Sequence, residues 1–485
     1  MQPSMFNVRV PLEDQNEVFL MNTFTDAQLI VSSDVAGLLD ELETREGRGW
    51  TSEEREALTT LADNGFIVES RDADRDNLRA FFHEVRESSE QLRMTILTTL
   101  QCNFACDYCI QGDHGDYNKN AAKMSLETAA RVGDWAESRL EVLRPESYVL
   151  TFFGGEPLLN LPVMYYLAER MWKVCEARGV RMLINVITNG LLLTSEIVDR
   201  LNAFGLNGIK ITLDGDRDTH NRMRPLRGGQ GTFDKIVHNV RQVAHKTRIA
   251  IGGNFDMETA DSYPALLDFL KEQDFADKLS KVAFKPIIRE RKEQPAPVVA
   301  SPVKGSKFIA LTAVADKPLG GACMTSAGAA VSSGSSTTSG CDSCHMLDDQ
   351  MAFLREETKK RGFPTIDGVH MGPCEIHRSN AHTISPDGSL YACPGFAGDA
   401  TQSVGHIDGR QEPARTQAAS RFEALSAWQE CRDCSFIPVC AGGCTVAAYN
   451  ELGSIDKPNC HKTAIQAGLV SLARQAAAER TATVN

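Results

Sequence analysis

Residues 102–109 read CNFACDYC, and the placement of Cys102, Cys106 and Cys109 within that run decides how the rest of the chain is read. Three thiolates at C-x3-C-x2-C spacing suit three irons of a cubane cluster and leave the fourth iron without a protein ligand. An open iron takes a substrate or cofactor directly, so the run points to chemistry. A structural zinc site usually pairs two CxxC units, and this run supplies only half of one.

Working outward, Tyr108 puts an aromatic ring before the third cysteine, and Gly154, Gly155, Glu156 and Pro157 form a GGEP run after the next expected strand. In this order the residues resemble the radical S-adenosylmethionine (radical SAM) superfamily. The resemblance implies one 4Fe-4S cluster on the three cysteines, S-adenosylmethionine at its open iron, and a 5′-deoxyadenosyl radical that takes hydrogen from an unactivated C–H bond. It also implies that GGEP cradles the methionine amino group, with bare glycine backbone allowing the close approach.

Further cofactor contacts follow from the same resemblance. The run ITLDG, with Thr212 and Asp214, is similar to the SxDG ribose contact of peptide and sulfatase maturases, with Thr in place of Ser. Arg224 stands where those relatives turn an arginine toward the SAM carboxylate, which a guanidinium holds bidentately. Thr188 and Asn189 either line that pocket or make a turn before Gly190. Ile288 either packs the adenine or belongs to the core.

The pattern around these motifs alternates strand and helix. Strands are expected at Leu92 to Thr98, Tyr148 to Phe153, Arg181 to Thr188, Ile209 to Asp214, Ile249 to Asn254 and Lys281 to Pro286, with helix-length segments between them. The expected class is α/β: a partial (β/α)6 radical SAM barrel over residues 89–293, whose chemistry lies at the strand C-termini. Residues 1–88 show an apolar hairpin, two helical segments and a closing strand. This order is similar to the winged-helix module with which many peptide maturases grip a leader peptide; a capping domain is the other reading. Residues 294–345, rich in Gly, Ser and Pro, read as an insertion that carries Cys323, Cys341 and Cys344, either as extra cluster ligands or as free thiols. Residues 346–470 form a second cysteine region and 471–485 a tail.

Composition narrows the class. A net charge of −13 over 485 residues argues against a nucleic-acid surface, which needs clustered Lys and Arg. Fourteen cysteines without a signal peptide or a long apolar span read as metal ligands in a reducing cytoplasm, with no membrane partner.

The second region holds Cys374 and Cys393, then Cys431, Cys434, Cys440, Cys444 and Cys460, with C-x2-C-x5-C-x3-C spacing from Cys431 to Cys444. These resemble the SPASM extension of radical SAM peptide maturases, in particular maturases of Cys-rich precursor peptides, which are related to anaerobic sulfatase maturases. The resemblance implies two auxiliary iron-sulfur clusters. Cys431, Cys434, Cys440 and Cys460 ligate one; Cys374, Cys393 and Cys444 hold the other, which is left open or completed from the insertion. Sulfatase maturases carry a further cysteine six residues after the first, where this chain has Asn380, and an aspartate base after the second, where it has Pro394. The expected activity is therefore a crosslink in a Cys-containing, leader-bearing precursor peptide, above all a Cys thioether. Carbon-carbon crosslinking or epimerisation, sulfatase maturation and a non-catalytic cluster sensor are the alternatives. An external electron donor such as flavodoxin or ferredoxin is implied.

Overall fold

The computed structural model describes residues 1–12, 16–42, 49–109, 121–288, 342–370, 372–410 and 412–484. Cys323 and Cys341 lie outside the described residues. Cys344 falls on the helix Asp342–Lys360, but its side chain also lies outside them.

Six parallel strands form the centre: β1 (Gln91–Thr99), β2 (Ser147–Gly154), β3 (Arg181–Thr188), β4 (Leu206–Thr212), β5 (Ile249–Phe255) and β6 (Leu279–Pro286). They pair in sequence order, each with the next. Crossover helices start and stop where local chemistry directs. Ser125 caps Leu126–Leu143 by accepting from the Thr128 amide, Thr194 caps Ser195–Asn202, and Gly179 ends Leu161–Arg178 at φ +67°. Alternation along the strands sends Met94, Ile96, Leu150, Ile184, Ile209, Ile211, Ile251 and Val282 outward into one core beneath the helices. The intervening positions line the concave face of a partial barrel.

The sheet does not stop at β1. Three short strands, β7 (Ala381–Ile384), β8 (Ser389–Tyr391) and β9 (Gly405–His406), extend it to nine strands, with β7 parallel to β1 and β8 and β9 antiparallel beyond it. The second cysteine region is thus grafted onto the barrel sheet. At the other edge, Val282 donates to the Pro364 carbonyl (2.7 Å), so the chain after Asp342–Lys360 covers part of β6.

The N-terminal segment departs from expectation. It holds a three-stranded antiparallel sheet, Asn7–Leu12, Glu17–Asn22 and Gln28–Ser32, where the sequence suggests a hairpin. Pro11 breaks the donor pattern of the first strand, which is tolerated because that strand lies at a sheet edge. The closing strand Ile67–Val68 pairs with Gln2–Pro3 in a sheet of its own. A further helix, Arg71–Glu87, buries Asp74, Leu78 and Phe82 along one face. Two helices cross the expected boundaries: Asp342–Lys360 runs across 345/346, and Lys462–Val484 continues through 470 into the tail.

Candidate active site

The cysteine run leaves the C-terminal end of β1 and is stitched down on both sides. Ala105 N–H donates to the Pro225 carbonyl (2.9 Å) and Arg227 N–H to Asn103 (3.2 Å), tying the run to the segment that follows Arg224. Cys102 is buried, and the Phe104 amide points at its sulfur at 3.4 Å. Burial first, then the neighbouring Cys109 and Cys102, push the Cys106 thiol up to about 12 against the pull of Arg224. Thiols held this close carry little thiolate by themselves, and a bound metal is what releases their protons.

The GGEP run ends β2, and its glycines face protein backbone. A Cβ on Gly154 would stand 2.2 Å from the Thr99 carbonyl oxygen, and one on Gly155 would stand 2.2 Å from that of Gln101. Gly155 N–H donates to Thr99 (2.9 Å) and Glu156 N–H to Gln101 (2.8 Å), so the glycines let the run lie flush against the chain leading into Cys102. The Glu156 carboxylate is fully buried. It accepts from Thr188 Oγ1 (2.7 Å), Asn189 N–H (2.8 Å) and Leu158 N–H (3.0 Å). Burial raises its pKa and these bonds oppose the rise. Thr188 and Asn189, at the end of β3, therefore belong to the same assembly. Asn189 Nδ2 donates to Asn103 Oδ1 (2.7 Å) and lies 3.8 Å from Cys102 Sγ.

Asp214, just past β4, is wholly buried. It accepts from Asn254 N–H (2.7 Å) and the Tyr108 hydroxyl, and it stands 3.5 Å from Arg224. Arg224 Nη1 donates to the Tyr108 hydroxyl (2.5 Å). Desolvation pulls the Arg224 pKa down, and Cys106, Tyr108 and Asp214 more than offset it, so the guanidinium is charged. Its Nε is buried without a hydrogen-bond partner. A buried guanidinium with an unmet donor beside three clustered thiols fits an anionic group of a bound cofactor. Thr212 closes β4 on the barrel's concave side. Ile288 packs against the apolar cluster that includes Leu97, Phe153 and Phe396 and is bordered by Cys393.

Two contributors escaped the sequence reading. Asn254 at the end of β5 bonds both Tyr108 and Asp214, and His220 accepts the Asp214 N–H on Nδ1 (3.1 Å). Burial first, then Arg224, pull the His220 pKa far down, so the ring is neutral and suited to accept. The rule that chemistry sits at strand C-termini would have found Asn254.

A family profile described as the Radical SAM superfamily matches residues 96–270, which run from the end of β1 through the cysteine and GGEP runs and the Asp214 cluster. The chain contains a radical SAM domain. Fe-coproporphyrin III synthase of Methanosarcina barkeri is 25% identical over 43% of this chain and 48% of its own length. The chain thus spans about half the length of the curated relatives it matches in this way. The cysteine-type anaerobic sulfatase-maturating enzyme of Clostridium novyi is 23% identical over 71% of this chain and 84% of its own. Among solved structures, anSMEcpe with bound AdoMet and a Cp18Cys peptide superposes with a TM-score of 0.56 at 16% identity, covering 81% of this chain and 99% of its own. That likeness is one of radical SAM fold.

Beyond the radical SAM domain, the remaining thiols fall into two electrostatic groups. Cys431 is pushed up to about 12 by burial and then by Cys440, Cys434 and Cys460. Cys393 is pushed to about 12 by burial and then by Cys374 and Cys444; Cys374, which keeps contact with water, is pushed to about 11 by the surrounding protein and then by Cys444 and Glu375. Among the described residues, no three Cys, His, Asp or Glu converge on one ion position. His377 is buried, and burial pulls it down to about 4; His382 packs edge-on against Trp135 with Nε2 unpartnered. Both rings are packed against protein and not exposed. Cys175 is a buried core thiol. Among the described residues no helix is long and apolar enough to cross a membrane.

Proposed function

We propose that this chain is a radical SAM maturase of a ribosomally made, Cys-containing precursor peptide, and that it joins a substrate carbon to a cysteine sulfur as a thioether. The observation that carries the reading is the grouping of Cys374, Cys393 and Cys444, in which Cys444 raises both of the others; Cys323, Cys341 and Cys344, which would complete the set in the other reading, have side chains outside the described residues. Asn380, at the position a further cysteine takes in sulfatase maturases, is committed elsewhere: it donates to the Ser88 carbonyl (3.0 Å) and accepts from Arg139 (3.3 Å). A three-thiolate set leaves room for a substrate thiolate.

Cys102, Cys106 and Cys109 would hold the first 4Fe-4S cluster, and Cys431, Cys434, Cys440 and Cys460 an outer auxiliary cluster. When bound, cluster and S-adenosylmethionine together supply a carbon-centred radical that removes one hydrogen atom from the substrate. The chain's own residues orient and exclude water. Arg224 would hold the cofactor carboxylate, with Tyr108, Asp214 and Asn254 fixing the guanidinium and Thr212 facing the ribose. Glu156, Thr188 and Asn189 would hold the cysteine run and GGEP backbone in register. The peptide loses two hydrogens overall; the second proton leaves the thiol and one electron returns to the protein. An external flavodoxin or ferredoxin would supply the initiating electron.

The match to a sulfatase-maturating enzyme keeps formylglycine formation as the second reading. Against it, Pro394 follows Cys393 and offers no base. The nearby Asp387 and Asp399 accept from Ser389 and Thr401, each in its own turn. The deciding experiment is the high-resolution mass of small Cys-containing peptides encoded beside the gene, after anaerobic incubation with reconstituted protein, S-adenosylmethionine and reductant. Loss of two hydrogens with one thiol no longer alkylatable supports the thioether. The same loss with every thiol free indicates a carbon-carbon bond, and no 5′-deoxyadenosine at all would indicate a sensor.

A further inference from the structure

The chain carries a net charge of −13, yet none of the six barrel strands contains Asp or Glu. Three lysines occupy the concave side instead. Ile209, Ile211 and Val282 point outward into the helix-covered core, so Lys210 on β4 and Lys281 on β6 point inward. Phe284 packs outward on Tyr263, which turns Lys285 inward as well.

The register brings the three together. Lys210 pairs with Ala250 and Ala250 with Lys281, so the first two lysines flank one small residue on a single rung. Lys285 lies opposite Asn254, the residue that bonds Asp214 and Tyr108. Gly252 completes the arrangement. A Cβ there would stand 2.7 Å from Lys210 Cε, and Gly252 pairs with Thr212, two residues beyond Lys210. The bare glycine therefore lets the lysine stem lean across β5 toward the strand C-termini, where the cysteine run sits. Lys210 keeps contact with water, yet the surrounding protein, followed by Lys285 and Lys281, pushes its ammonium down to about 8. A side chain on the wall of a concave space behaves in this way. No carboxylate among the described residues hydrogen-bonds or ion-pairs with any of the three.

We propose that Lys210, Lys281 and Lys285 form a subsite in the barrel lumen that receives a carboxylate of the substrate, either an Asp or Glu side chain or a free C-terminus. Gathering like charges is unfavourable without a counter-ion, and an acidic group entering from the strand C-termini would relieve that repulsion. In a concave, partly dry site the attraction selects acidic over neutral ligands more strongly than it would on an open surface. The peptide-borne form of this inference rests on the maturase reading; the carboxylate subsite itself does not.

The test is lysine acylation in reconstituted protein with S-adenosylmethionine bound, followed residue by residue by mass spectrometry. Three probes are compared: an N-acetylated, C-amidated peptide bearing one Asp, its Asn counterpart, and the Asn counterpart with a free C-terminus. The expected result is acylation of Lys210 and Lys281 slowed about fivefold or more by an acidic probe and unchanged by the capped Asn peptide. Protection by the Asp form marks a side-chain carboxylate, and protection by the free-terminus form alone marks a C-terminal one. Equal protection by all three, no protection by any, or full protection by S-adenosylmethionine alone would overturn the proposal.

Once a peptide product is in hand, Lys210→Met and Lys281→Met should each lower the ratio of modified acidic peptide to 5′-deoxyadenosine about tenfold. Lys210→Arg should restore it. An unchanged ratio would overturn the subsite while leaving the maturase reading intact. Lysine protection without any peptide product would do the reverse.

Discussion

Replacing Glu156 by Gln tests whether the GGEP carboxylate acts through the protein frame. In the native assembly Oε1 accepts from Thr188 Oγ1 and Leu158 N–H, and Oε2 accepts from Asn189 N–H. A glutamine keeping its oxygen at the first position turns an NH2 group toward the Asn189 amide, donor against donor. Each unmet buried group costs about 1–3 kcal/mol. Part of this is returned because burial already penalises the carboxylate charge. A net loss of about 2 kcal/mol is expected, or roughly 4–8 °C in the melting temperature of a unit this size. The second effect is positional. Asn189 holds Asn103 at 2.7 Å and borders Cys102 Sγ, so displacing its peptide moves the first cysteine. Misplacement of about 1 Å can reduce a rate about a hundredfold. The assay pairs thermal unfolding with 5′-deoxyadenosine release and the electron paramagnetic resonance signal of the reduced protein. A variant with wild-type melting, signal and turnover would refute the argument. Lowered melting with unchanged turnover would reduce Glu156 to a scaffold residue.

Three further outcomes are expected. Replacing Cys102, Cys106 and Cys109 together by Ala should abolish S-adenosylmethionine cleavage while iron on the remaining thiols persists, and iron analysis with product chromatography checks both. Arg224→Met strips Asp214 of its buried partner and should cost about 3–5 kcal/mol while weakening cofactor binding by calorimetry; Arg224→Lys should not restore affinity, because Lys lacks the planar fork. His370 stands between Asp367 (2.6 Å) and Asp26 (2.7 Å), joining the N-terminal sheet to the second cysteine region. Desolvation pulls the His370 pKa down, and its bonds to Asp367 and Asp26 more than offset it, leaving it raised. Asp367 is lowered to about 2, its burial being outweighed by bonds from His370 and Val369. The raised histidine stabilises fully below its unfolded value of about 6.5 and loses that contribution as pH rises through the folded value. The aspartate contribution disappears as pH falls from about 4 toward about 2. Amide exchange across Gln28–Ser32 should accelerate at mildly alkaline pH, and His370→Ala should flatten that dependence.

The barrel was legible because its signals are local. Strand alternation, helix caps and the cysteine spacing lie within short windows, and the six strands appear where the apolar runs place them. The grafting of β7 to β9 onto β1 was not legible. A three- or four-residue strand carries too little periodicity, and its partner lies almost three hundred residues earlier in the chain. Likewise GGEP announced a site but not its wiring: the two clashing Cβ positions show glycine serving close backbone packing against the cysteine run, a relation fixed only by tertiary structure. Asn254 and the lysine trio were hidden for another reason. Each is an ordinary polar residue on a strand, and its meaning comes from register with neighbouring strands.

The N-terminal segment shows how packing changes the design of an experiment. Deleting residues 1–88 would look like a direct test of leader recognition, but the segment is also part of the wall around the outer cysteines. Phe82 stacks on Trp428 with ring centroids 4.6 Å apart and planes 9° from parallel, in a cluster with Met5, Phe6, Leu78 and Ile437 that Cys431 and Cys434 border. Phe19 and Met21 pack with Phe436, Val439 and Ile465 beside Cys434 and Cys440. Deletion would bare both apolar faces, so a loss of peptide binding would not identify its cause. Phe82→Ala separates the two roles. Truncating a buried aromatic costs about 3–5 kcal/mol, part of it from the cavity left against Trp428. We expect reconstituted iron to fall by about the content of one cluster, S-adenosylmethionine cleavage to persist, and Phe82→Leu to recover most of the iron. Full iron in Phe82→Ala would mean that the outer cysteines hold their geometry without the N-terminal wall, and the deletion would then be a fair test of leader binding after all.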